Sequence, residues 1–248
     1  MIIRFVQVRT SDAEALRVAY ERVVIPALRS IAGCLSATLL QNGGDRELCI
    51  SMTVWRSSED AKRYEQQGRY NELLETMRPY IAESTEWRIQ LGDDLTVRYE
   101  PVAEAPTVQQ FAVETGGTPP EIDNKASYVR IVSHRARPES VGEFRRIYDA
   151  EVVPVLLRET TCKHAYLVAD PSSPTTMLSV TVWADQADAR NYELSGKFTT
   201  LLAKLEPTLS TLVQWKMDVE HDTHTRVVTS EDVNVEGYQL LAGASFPS

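Results

Sequence analysis

Apolar and polar residues alternate over Ile3–Val8, and most of the positions are β-branched or aromatic, which predicts a strand. The period then changes. Leu16, Tyr20, Val23, Val24, Ala27, Leu28 and Ile31 recur at helical spacing, behind a Ser11-Asp12 pair able to cap the helix and with Glu14 in its first turn. Pro26 lies inside this run and predicts a kink or break, because proline lacks an amide N–H and its ring crowds the preceding turn. Cys34–Leu40 predicts a second strand, Asn42-Gly43-Gly44-Asp45 a turn, and Leu48–Trp55 a third strand. Ser57-Ser58-Glu59-Asp60 opens a second helix whose apolar face is Ala61, Tyr64, Tyr70, Leu73, Leu74 and Met77. Gly68 divides it and Pro79 ends the pattern. Alternation of Trp87, Ile89 and Leu91 predicts a fourth strand over Glu86–Leu91, and Val108–Val113 a short fifth. The order βαββαβ is the ferredoxin-like plan, an α+β fold with two helices on one face of an antiparallel sheet.

The pattern occurs twice. Trp55 and Trp183 stand 128 residues apart, as do Trp87 and Trp215, and these are all the tryptophans. Laying Ser51–Trp87 on Ser179–Trp215 gives 13 identities in 37 positions, where chance would give about two or three. Tyr20, Pro26 and Cys34 fall on Tyr148, Pro154 and Cys162 at the same offset, and Arg4-Phe-Val falls on Arg130-Ile-Val at 126. The two-residue difference belongs to the loops near Thr10 and Ala136. The expected organisation is a first domain over residues 1–115, a Gly- and Pro-punctuated linker over 116–125 and a second domain over 126–248. Each unit leaves one sheet face bare of helices. Packing the two bare faces together predicts a pseudo-twofold α/β barrel made by one chain, with a cavity between the sheets; further homo-oligomerisation stays open.

Val54-Trp-Arg-Ser-Ser-Glu-Asp-Ala61, followed by Tyr64, Gly68, Leu73-Leu74 and Pro79, resembles the antibiotic biosynthesis monooxygenase superfamily of dimeric α/β barrels. Val182-Trp-Ala-Asp-Gln-Ala-Asp-Ala189, with Tyr192, Gly196, Leu201-Leu202 and Pro207, is its second copy. The resemblance implies cofactor-independent oxidation of an aromatic or polyketide-like small molecule by oxygen. Two alternatives accompany it: a small-molecule binding or sensor protein without catalysis, and a haem-binding protein. Two positions depart from the family pattern. The asparagine often found on the first strand is replaced by Gln7 and Ser133. The histidine that ligates haem from the second helix is replaced by Glu75 and Ala203.

Strand alternation sorts candidate side chains. If the apolar sets Ile3/Phe5 and Ile50/Met52/Val54 face the helices, then Arg4, Val6, Val8, Ser51, Thr53 and Trp55 face the cavity. On the second strand Ala37 and Leu39 face the helices and Ser36 and Thr38 the cavity. The second unit then offers Arg130, His134, His164, Tyr166, Thr181 and Trp183. His134, His164 and Tyr166 stand where the first unit has Val8, Ser36 and Thr38, so they are the catalytic candidates, with either histidine as general base toward a phenol. Arg130, Thr181, Trp183, Arg4 and Trp55 are the substrate-binding candidates, an arginine to hold an anion and a tryptophan as a flat wall. The plainer alternatives are hydrogen-bonded structural histidines and packing tryptophans.

Charge narrows the classes. With 26 basic and 35 acidic residues the net charge is −9, which disfavours nucleic acid and a basic membrane anchor as partners. No run of ~18 apolar residues would cross a membrane. Arg4 and Arg9 interrupt what would be a leader's apolar stretch. Three dispersed cysteines, Cys34, Cys49 and Cys162, are no disulfide framework and fit a reducing, cytoplasmic setting. Phosphate-binding glycine loops, serine nucleophile elbows and His-Glu-x-x-His are missing. His221-Asp-Thr-His224 has metal-compatible spacing but reads better as a solvated loop.

Overall fold

Ile2–Arg9 forms strand β1, and Asp12 caps the helix that follows by accepting the Ala15 N–H. The helix runs as α1 (Ala13–Ala19), a π turn (Tyr20–Val24) and α2 (Ile25–Arg29). The break expected at Pro26 is thus a widened turn, in which the Ile25 N–H reaches back to the Tyr20 carbonyl. Proline sits in the first turn of α2, directly after the widened turn. Strands β2 (Cys34–Asn42) and β3 (Leu48–Trp55) follow. Ser57 caps α3 (Ser58–Gln66), and α4 (Arg69–Met77) begins after Gly68, whose φ of 76° is left-handed. The structure is a computed structural model that describes residues 1–82, 87–91, 97–101, 106–116, 127–211 and 233–246.

The expected fourth strand is observed, but not in the main sheet. β4 (Trp87–Leu91) pairs with β5 (Val97–Pro101) in a separate two-stranded sheet. The sequence reading missed Val97–Pro101, the local partner that draws Trp87–Leu91 away. The fourth position, beside β1, goes to β6 (Thr107–Thr115). Unit two repeats the plan with β7 (Tyr128–Arg135), α5 (Val141–Ile147), a π turn (Tyr148–Val152), α6 (Val153–Arg158), β8 (Cys162–Asp170) and β9 (Ser173–Trp183). It continues with α7 (Gln186–Leu194), α8 (Lys197–Leu205) and β10 (Val235–Ser245). Trp215, the His221–His224 segment and linker residues 117–125 lie outside the described residues.

The eight long strands close into one antiparallel barrel in the order β1-β3-β2-β10-β7-β9-β8-β6. Each unit contributes four strands in ferredoxin-like order, β6-β1-β3-β2 and β10-β7-β9-β8, and the units join along two seams, β2 with β10 and β6 with β8. Gly116 ends β6 at φ 93°, where a Cβ would lie 2.4 Å from the Ala165 carbonyl oxygen, so the seam is built for glycine.

Closure decides the faces, and here the expectation was inverted on four strands. Ile3, Phe5, Ile50, Met52 and Val54 fill the barrel together with Val129, Ile131, Val168, Val180 and Val182. Arg4, Val6, Val8, Ser51 and Thr53 point the other way, under their own helices, and Trp55 packs there too. Arg130, His134, Thr181 and Trp183 do likewise in unit two. Strands β2 and β8 keep the expected orientation. Ser36 pairs with Val54, Thr38 with Met52, His164 with Val182 and Tyr166 with Val180, all on the barrel side. The physical reason is that neither face meets solvent. The barrel interior receives both sheets and is the drier layer, so it takes the most apolar residues, and the polar ones lie beneath the helices. Among the described residues an apolar cluster thus occupies the space between the sheets, and one cavity lies between each sheet and its helices.

Residues 1–116 expressed alone keep β2 and β6 as unpaired edges beside a bare apolar face. They are expected to dimerise or aggregate in light scattering; a stable monomer would contradict the closure argument.

Candidate functional site

Beneath the unit-one helices lies a cavity of about 70 Å³. Its floor is the helix-facing side of β1 and β3, and α1, the π turn and α4 roof it with Leu16, Tyr20, Val24, Leu73, Leu74 and Met77. The wall is mostly apolar, with polar groups on the floor. The π turn aims Tyr20 down into the sheet, where its hydroxyl pairs with Ser51 Oγ at 2.8 Å and lies 3.2 Å from the Thr38 carbonyl. Thr53 Oγ1 accepts the Trp55 indole N–H at 2.9 Å. Burial drives the Tyr20 and Tyr64 phenols well above their ordinary pKa.

Among the described residues Arg4 is the one cation on this lining. It is 2% exposed. Its Nε donates to Glu65 Oε1 at 2.9 Å, and Gln110 on β6 donates to the same oxygen at 2.9 Å. The guanidinium carbon lies 4.3 Å from the Tyr70 ring centroid, a cation–π contact. Its Nη2 is buried and has no hydrogen-bond partner. An unmade bond of this kind costs about 1–3 kcal/mol, so its presence demands a reason. The unit-two equivalent repeats it. Arg130 Nε donates to Glu193 Oε1 at 2.6 Å, its carbon sits 4.2 Å from the Phe198 ring, and its Nη2 is also unpartnered. A buried donor without a partner, on an arginine that lines a mostly apolar chamber, suits one anionic or carbonyl oxygen of a ligand.

The candidates named from sequence do not form one cluster. Arg130, His134 and Thr181 line a unit-two cavity of about 20 Å³ under the π turn, α6, α7 and α8. His164 and Tyr166 lie on the opposite face of the sheet, stacked on each other at 6.0 Å between ring centroids. Trp55 and Trp183 are wholly buried and pack on Tyr64 and Tyr192 at 5.0 and 5.1 Å. They border neither cavity, and each uses its N–H on the neighbouring threonine. Sequence reasoning read Ser51 as cavity-facing but named none of Tyr20, Ser51, Glu65, Tyr70 and Gln110 as a site candidate. The retention of Tyr20, Ser51 and Glu65 as Tyr148, Ser179 and Glu193 was the signal that could have found three of them.

Haem does not fit the described residues. His134 packs on Phe144 at 5.5 Å between ring centroids in the smaller cavity, and His164 faces the filled barrel. Glu75, at the family's ligand position on the second helix, pairs with Arg78. Among the described residues no three metal-ligating side chains gather. Burial pushes the thiols of Cys34 and Cys162 up to about 12 and that of Cys49 to about 11, so they are not nucleophiles at neutral pH.

His134 gives a measurable consequence. Burial first, and the Arg130 charge second, lower its pKa to about 4, and Nδ1 has no partner. The folded value lies below the unfolded one, so the unfolded chain takes the proton first as pH falls. Stability is complete above pH ~6.5 and declines down to about pH 4, by about 3 kcal/mol from this group. Stabilities from denaturant melts of the parent and of His134→Val should diverge by this amount from the top to the bottom of that window; parallel curves would show that His134 is not held neutral.

Both halves of the chain have relatives among known proteins. The family model for antibiotic biosynthesis monooxygenase matches residues 1–76 and again residues 127–204. No curated protein matches the chain. Among solved structures, a candidate monooxygenase from Fusobacterium nucleatum superposes with a TM-score of 0.69 at 11% identity, over 98% of this chain and 94% of that one. Another from Lactobacillus acidophilus gives 0.62 at 10% identity, over 98% and 95%. An anthrone oxidase-like protein gives 0.57 at 12% identity, over 98% and 93%. These likenesses concern the fold. With both halves matched by the family model and both folded as its barrel requires, the chain belongs to the antibiotic biosynthesis monooxygenase family as a tandem member.

Proposed function

We propose that the unit-one cavity takes a small, mostly apolar ring compound bearing an acidic oxygen, and that the chain oxidises it with molecular oxygen without a resident cofactor. The observation that carries this reading is the buried, unpartnered Nη2 of Arg4 at an otherwise apolar chamber. An electron-rich phenolate or enolate is the oxygen anion such a donor would stabilise, and it is also the form of substrate that reacts with oxygen unaided. The atoms balance for a methylene flanked by aromatic rings. Its carbon loses both hydrogens and is oxidised to a ketone with one atom of dioxygen, while the other oxygen atom takes the two hydrogens and leaves as water. The anthrone oxidase-like neighbour carries the name of this reaction class.

The cavity is small for such a substrate. At about 70 Å³ it is roughly half the ~150 Å³ of an apolar cavity that accepts benzene, so a ring requires the roof to yield. The α3–α4 joint at Gly68, where an added side chain would meet nothing within 4 Å, is the place with room to move. One observation favours a second reading, binding without chemistry: burial keeps Tyr20, Tyr64 and Tyr70 protonated, so none of them serves as a base near neutrality.

Oxygen-electrode assays with anthrone and with single-ring phenols separate the two. The parent should consume oxygen in proportion to substrate, and Arg4→Gln, verified as folded by circular dichroism, should lose about 10²–10³-fold in turnover. Ser36→Ala, on the barrel side, should match the parent. Tight binding of anthrone with no oxygen uptake would establish the carrier reading instead.

A further inference from the structure

The two halves share a frame and differ in what fills it. Arg4 and Arg130 make the same ion pair and aromatic contact, Tyr20 and Tyr148 the same hydroxyl pair with Ser51 and Ser179, and Trp55 and Trp183 the same bond to a threonine. The cavities above these floors are nonetheless about 70 and about 20 Å³. Two paired positions account for the contrast. Leu16 of unit one corresponds to Phe144, and Val8 to His134; both replacements are larger. Phe144 is wholly buried, 5.5 Å from the His134 ring and 6.2 Å from the Tyr148 ring that it overlies. Val8 is only half-buried, whereas His134 is buried.

One nitrogen of the His134 imidazole has no polar role. Its Nδ1 is unpartnered, so no hydrogen bond at that atom explains why a histidine stands there. What it does is occupy volume beside Phe144. Meanwhile Arg130 keeps an unpartnered Nη2 like that of Arg4, with little space left for an acceptor. Unit two thus retains the group that would recognise an oxygen and lacks the chamber.

We infer that, of the two equivalent cavities between sheet and helices, only that of unit one takes a ligand, and that Phe144 and His134 form an internal plug that closes its unit-two counterpart to small apolar molecules carrying one acidic or carbonyl oxygen. The inference rests on the assignment of the unit-one cavity as the ligand site. It makes the functional stoichiometry one per chain, although the fold supplies two equivalent floors. Phe144 and His134 are positioning residues in this account: they touch no ligand, and they decide which half can hold one.

Xenon tests this without reference to oxygen chemistry, since an enclosed apolar cavity binds it. Crystals of the parent under xenon pressure should show the gas beside Tyr20 and Leu74 in unit one and none beside Tyr148 and Leu202. In His134→Val/Phe144→Leu a second xenon should appear in unit two. The reciprocal Val8→His/Leu16→Phe should remove the first. Xenon in both units of the parent would overturn the inference, as would a folded His134→Val/Phe144→Leu that stays empty in unit two. Should that variant not fold, the reciprocal one decides: loss of xenon from unit one supports the plug, and retention refutes it. Because xenon loading does not depend on turnover, failure of the oxygenase reading and failure of the plug are told apart.

Discussion

Closure of the sheet is the constraint on which the rest depends. A four-stranded sheet with helices on one side leaves two unpaired edges and one bare apolar face, and this chain resolves both by joining two such sheets. β6 hydrogen-bonds β1 of its own unit on one side and β8 of the other unit on the opposite side, and β10 does the same with β7 and β2. Each seam strand therefore belongs to both units. The closed interior is dry and apolar, which leaves the layer beneath the helices as the place where an arginine, serines, threonines and tyrosine hydroxyls are gathered. The location of the chemistry follows from the location of the driest core.

A buried arginine in that layer would be a liability without its supports. Desolvating a guanidinium is expensive, and a buried ion pair seldom yields net stability over an apolar replacement. Glu65 and the Tyr70 ring hold Arg4 in place, and Gln110, on the seam strand β6, donates its amide to the same Glu65 oxygen. The arrangement secures orientation: Nε is committed to the carboxylate, and Nη2 on the same edge is left without a partner. That the same geometry is kept in unit two, where the chamber has shrunk, marks it as an inheritance of the frame.

Much of the architecture was legible in the sequence because it is carried by local signals repeated twice. The tryptophan spacing exposed the duplication, Gly68 and Gly196 marked the helix breaks with left-handed backbone, and Pro26 and Pro154 marked the widened turns. The faces of β1, β3, β7 and β9 were not legible. Alternation distinguishes a wet face from a dry one, and here it had to distinguish two buried layers of different polarity. β2 was read correctly because Ala37 and Leu39 do lie under the helices. The separation of His134 from His164 follows from the same inversion: one strand turned over and the other did not. The relation of His134 to Phe144 joins a strand to a helix, and no spacing along the chain announces it.

The seam strands have a consequence for descent. In a barrel assembled from two identical chains, every substitution is made twice, and an occluding residue that suits one half is imposed on the other. Joining the halves lets a change be tried on one side while its counterpart keeps the older residue. What cannot drift is whatever spans the junction, since β6 and β10 must each satisfy two neighbours at once. Related tandem chains should accordingly vary most in the layer beneath one set of helices, and least along the lines where the halves meet.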